Sequence, residues 1–115
     1  MWRPVRLTSM LMALMAAACA SPPDLPAADL DPGVAHGERI ARAYCSGCHA
    51  VGRTGFSQHP DAPAFRTLSR LYPVDSLAES LVEGMMTGHP DMPEFEFTAE
   101  AAADFIAYLE SVQAK

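Results

Sequence analysis

Basic charge is scarce in this chain: eight lysines and arginines stand against fourteen acidic residues in 115, a formal net charge of -6. A surface so poor in cations excludes nucleic acid as a partner, whose phosphates demand a basic face, and excludes simple electrostatic adsorption to anionic lipid. Long apolar runs are missing too. The run from Leu7 to Ala18 falls short of the roughly 20 residues that a membrane-spanning helix needs. No segment alternates apolar and polar residues as a half-buried strand does, and no internal repeat is visible. What these absences leave is one small all-α domain. A domain of this size buries only a modest core, so a group other than side chains is expected to complete it.

The first twenty residues have the three parts of a secretory signal peptide: Arg3 and Arg6 near the start, the apolar run, and small residues at the end. Residues 1–20 are therefore expected to be removed and the protein exported to the periplasm. The sequence Ala18-Cys19-Ala20 fits ordinary cleavage before Ser21. Ala16-Ala17-Ala18-Cys19 is the alternative, similar to a bacterial lipobox with Cys19 as a lipid anchor; ordinary cleavage is preferred because Ala16 stands where a lipobox usually has Leu. Loss of the signal removes two arginines and no acidic residue, which leaves six basic residues and a net charge of -8. Residues 21–31, rich in proline, read as an extended tether to a domain covering residues 32–115.

Asp31 is placed to cap a helix with Pro32 in the tolerated first position, and that helix should run to about Cys45. Gly37, Ile40, Ala41 and Tyr44 recur on one face, and Glu38 and Arg42 pair one turn apart on the other. Glycines and prolines then mark a long loop, with a short helical candidate at Ala64 to Leu71. Ser76 and Glu79 have the spacing of a capping box, and Leu77, Leu81, Val82 and Met85 continue an apolar stripe towards Gly88. Thr98 caps a last helix whose Ala102, Phe105, Ile106, Leu109 and Val112 lie three and four apart.

The chemistry is concentrated in Cys45-Ser46-Gly47-Cys48-His49. Cys-x-x-Cys-His is an attachment sequence for c-type haem. Two thiols three residues apart project from one side of a helical turn and form thioethers with the two vinyl groups, while the adjacent histidine serves as an axial ligand to iron. Three alternatives compete. A disulfide between Cys45 and Cys48 would close so short a loop that it stabilises little, and a thioredoxin-like pair needs a βαβ context that is missing here. A zinc site needs four ligands, for which only His36, His59 and His89 could add nitrogen. One covalently bound haem c is the expected cofactor.

Met92, between Pro90 and Pro93 in Gly88-His89-Pro90-Asp91-Met92-Pro93, is the candidate for the second axial ligand, since the prolines fix the backbone of a loop able to present a thioether. Met85 and Met86 are explained by packing at a helix end. His36 and His59 read as ordinary surface histidines, whereas His89 is an alternative to Met92, a partner for a haem propionate or, equally, a solvated loop residue. Pro63 is expected to offer its carbonyl to the free ring nitrogen of His49, fixing the imidazole. Phe65, Leu68, Phe95 and Phe97 are expected in a core that also faces the cofactor.

Taken in order, Gly37, Cys45-Ser46-Gly47-Cys48-His49, Met92-Pro93 and Asp104-Phe105-Ile106-Ala107-Tyr108-Leu109 make the chain resemble the class I cytochromes c from about Gly37 to its end. The resemblance implies three to four helices around one haem. It also implies a glycine that lets the first helix cross closely over Phe105 and Tyr108 of the last. It further implies single-electron transfer with redox proteins as donor and acceptor, by a monomer or a small subunit of a redox complex, and no catalytic residue. Ala41 stands where the family often has an aromatic residue, so a looser helix crossing is expected.

Overall fold

The computed structural model describes residues 31–85 and 89–115. The signal segment, Cys19, the tether before Asp31, Met86 and Gly88 all lie outside the described residues.

Helix α1 (Pro32–Tyr44) begins as its sequence dictates. The Asp31 carboxylate accepts the Gly33 backbone N–H at 2.8 Å, and Pro32, which has no N–H to satisfy, takes the first turn. Gly37, Ile40 and Ala41 are its buried face, while Arg42 Nη2 meets Glu38 Oε1 at 2.6 Å on the outside. Helix α3 (Ala99–Val112) begins where the Thr98 hydroxyl accepts the Ala101 N–H at 3.2 Å. Ala102, Phe105, Ile106, Tyr108, Leu109 and Val112 are buried along it.

These two helices form the main contact of the fold, and Gly37 is where they cross. A Cβ built on Gly37 would overlap the Asp104 carbonyl oxygen and lie 2.7 Å from Tyr108 Cβ. The expected looseness at Ala41 is not found: Ala41 is fully buried, at 0% exposure. One turn along α1 from a residue with no side chain, a methyl group already fills the narrow gap, and an aromatic ring would force the helices apart.

Helix α2 (Leu77–Glu83) is shorter than its sequence stripe. It stops at Gly84, whose φ of +95° lies in the left-handed region that only glycine adopts freely. Leu81 is buried, and Leu77 and Met85 pack against the core, but Val82 is exposed. The capping box at Ser76 is not formed. A 3₁₀ turn, Val74–Ser76, precedes the helix, and the Ser76 hydroxyl donates backwards to the Pro73 carbonyl at 2.6 Å. With Ser76 already in helical φ and ψ, its side chain has no reach to the next turn's N–H groups.

The helical candidate at Ala64 to Leu71 is a 3₁₀ helix, Phe65–Arg70, with Phe65 and Leu68 buried. It closes a long loop that is well tied down. Phe65 N–H donates to the Ala50 carbonyl at 2.9 Å, Ala50 N–H to the Ser57 hydroxyl at 3.0 Å, and the buried Tyr108 hydroxyl to the Val51 carbonyl at 2.9 Å. Gln113, just past α3, binds the Phe65 carbonyl at 2.8 Å and accepts the Ser69 N–H at 2.9 Å. The three helices and two 3₁₀ segments make an all-α fold, with no strand among the described residues. None of the described helices is long and apolar enough to cross a membrane.

Candidate functional site

The C-terminus of α1 runs directly into the site. Cys45 N–H closes the helix on the Ala41 carbonyl at 2.9 Å, and the Cys48 and His49 N–H groups both return to the Cys45 carbonyl, at 3.2 and 2.9 Å. This tight turn holds both thiols and the imidazole on the wall of one cavity of about 370 Å³. Neither described cysteine is in a disulfide. Burial pushes the Cys45 thiol up to about 11, so it is neutral at physiological pH.

His49 is held by the contact expected of Pro63. Its Nδ1 lies 2.7 Å from the Pro63 carbonyl oxygen. A carbonyl only accepts, so Nδ1 carries the proton, and Nε2 is left with its lone pair for a metal. The Phe65 ring packs on the imidazole, with centroids 5.1 Å apart, and Phe65 meets Phe105 edge-on at 5.9 Å. Phe97 continues this wall, 5.6 Å from Phe105 and 6.3 Å from Phe95.

Met92 lies on the same cavity, brought there by the segment between α2 and α3. That segment is anchored at both ends: Met85 N–H donates to the Phe95 carbonyl at 3.1 Å and Phe97 N–H to the Leu81 carbonyl at 2.8 Å. Between them, Met92 N–H turns back on the His89 carbonyl at 3.2 Å. Met85 also lines the cavity.

Two histidines are better placed than their sequence context indicates. His36 is not an idle surface group: its Nδ1 lies 2.7 Å from Asp104 Oδ2 and ties α1 to α3 beside the Gly37 crossing. His59 lies on the cavity facing His89, the two rings perpendicular with centroids 5.3 Å apart. Separations of 68 residues for the first pair and 30 for the second leave no local signal in the sequence.

The residues present fit a covalently held haem. Two thiols and an imidazole with one free nitrogen share a cavity walled by Phe65, Leu68, Phe97, Phe105 and Leu109. Tyr44 and Leu71, also on its wall, are 63% and 64% exposed, as side chains waiting for a large apolar group would be.

Residues 32–109 match the family model described as cytochrome c oxidase, cbb3-type, subunit III. The chain is also similar to cytochrome c-552 of Bradyrhizobium diazoefficiens, 31% identical over 78 residues that cover 68% of this chain and 73% of that protein. No solved structure matches it significantly.

Proposed function

Because the chain belongs to the c-type cytochromes, with covalently bound haem c as its cofactor and electron transfer as its family's work, we propose that it is a mono-haem carrier of single electrons between redox proteins. The observation that carries this reading is the meeting of Cys45, Cys48, His49 and Met92 on one apolar cavity. Bound there, haem supplies an iron that alternates between the ferric and ferrous states. Cys45 and Cys48 would hold the macrocycle through two thioethers. His49 would offer Nε2 to the iron, its ring fixed and made more basic by the Pro63 carbonyl. Met92 would offer its thioether as the second protein ligand, which would close the iron to small molecules and raise its potential. The aromatic wall of Phe65, Phe97 and Phe105 would give a bound haem an apolar surrounding. No side chain is asked to move a proton or attack a substrate, so the protein works without being an enzyme.

The signal-like first residues support export to the periplasm, either soluble or anchored at Cys19. The family description supports a second reading, in which the chain is the dedicated haem subunit of one oxidase or dehydrogenase. Purification with a single enzyme, rather than exchange among several, distinguishes that role from a free shuttle. Haem-stained electrophoresis of the denatured mature protein tests the attachment itself. A stained band at the mass of the chain is expected, and a colourless protein from a host with working haem attachment refutes the reading. Tight carbon monoxide binding by the ferrous protein would refute the closed iron and favour a ligand sensor.

A further inference from the structure

The cavity rim carries the same tripeptide twice, His59-Pro60-Asp61 and His89-Pro90-Asp91. In each copy the backbone N–H of the aspartate points at Nδ1 of its own histidine, at 3.2 Å for Asp61 and 3.4 Å for Asp91. This local turn sends each Nε2 towards the other copy. His59 Nε2 lies 3.4 Å from Asp91 Oδ2, and His89 Nε2 lies 3.6 Å from Asp61 Oδ2. Ligand atoms of His59, Asp61 and His89 all lie within 4.8 Å of one another.

We propose that His59, Asp61 and His89 bind a divalent transition-metal ion of the zinc type at this rim, with Asp91 beside His59 for the fourth position. Two imidazoles and carboxylate oxygens are a ligand set that zinc accepts. Ligand atoms about 2.1 Å from a tetrahedral centre stand about 3.4 Å from one another, and the crossed histidine–aspartate separations of 3.4 and 3.6 Å match that spacing. Both are long for hydrogen bonds, so neither crossed pair is locked by a short contact. Ligation through Nε2 moves each ring proton to Nδ1 and gives up the two backbone contacts. Those two contacts are themselves at the long end of the hydrogen-bond range, so their own loss costs little. Prolines between histidine and aspartate stiffen both copies, and the acidity of the whole chain draws cations to it. A bound ion would tie the loop that follows His49 to the loop that carries Met92.

The site is separate from the haem ligands, and the two readings fail separately. In the haem-loaded protein both Cys45 and Cys48 are consumed as thioethers, so added Zn²⁺ reads the rim. Titration of the chelator-treated holoprotein with Zn²⁺, followed by calorimetry, should show one ion per chain and a rise in the thermal midpoint. His59→Gln and His89→Gln should each weaken zinc binding by more than about tenfold in protein that keeps its haem stain, while His36→Gln should bind as the unaltered chain does. A coloured protein that binds no zinc, or that binds it equally well in both rim variants, overturns the proposal. Loss of haem staining instead overturns the attachment reading.

Discussion

Replacing Gly37 by alanine puts a methyl group where the two longest helices touch. The added Cβ would overlap the Asp104 carbonyl oxygen and stand 2.7 Å from Tyr108 Cβ. The first of these is backbone inside α3 and has no rotamer to yield, so the helices must move apart. Overpacking of this kind costs about 3 kcal/mol at the upper end of its usual range. Alanine's better helix propensity returns about 1 kcal/mol, which leaves a net loss of about 2 kcal/mol. For a domain of this size that lowers the thermal midpoint by roughly 10 °C. Gly33→Ala is the internal control. There the new Cβ would meet no backbone, only the ends of two side chains, Asp104 Oδ1 at 2.6 Å and the capping Asp31 Oδ1 at 3.0 Å. Weakening of the His36 pair and the gain in propensity are each about 1 kcal/mol or less and roughly cancel. Thermal and urea unfolding of both haem-loaded variants, followed by circular dichroism, measures the difference. If Gly37→Ala unfolds at or above the midpoint of the unaltered chain, close helix contact is not what Gly37 provides.

Tyr108→Phe removes the buried hydroxyl that serves the Val51 carbonyl and should lower stability by about 1–3 kcal/mol in denaturant unfolding, because that carbonyl is left without a partner. Met92→Ala should abolish the weak near-infrared sulfur-to-iron band of the ferric protein, lower the midpoint potential and open the iron to carbon monoxide; a spectrum that keeps the band removes Met92 as a ligand. The double variant Cys45→Ser with Cys48→Ser should give no haem-stained band on denaturing gels, whereas either single variant should keep one thioether and some stain.

Features that depend on near neighbours were legible in the sequence. The caps at Asp31 and Thr98, the Glu38–Arg42 pair and the turn from Cys45 to His49 each involve residues within about one helical turn, and each is present. Ser76 shows the limit of that reasoning. Its spacing to Glu79 is right, but Pro73 starts a 3₁₀ turn that fixes the backbone of Ser76 and captures its hydroxyl. The placement of Pro63 under His49 was legible because a haem site needs an acceptor there, not because the loop announces its path. His36 and His59 were misread for the opposite reason: their partners Asp104 and Asp91 reach them only through the tertiary fold. His-Pro-Asp occurs at two places in the chain, yet three residues are too few to count as a repeat until the fold sets the copies face to face. Ala41 taught the same lesson at the helix crossing, where the space available was set by Gly37 and Asp104 together.

The crossing of α1 with α3 also sets a schedule for synthesis. A ribosome makes Cys45 to His49 well before Asp104 and Tyr108, the residues that close on Gly37 and Val51. Until α3 is complete the attachment turn belongs to an open chain, with nothing yet packed over it. The turn that haem must reach therefore stays accessible for as long as α3 has not closed on α1, and that closure ends the access.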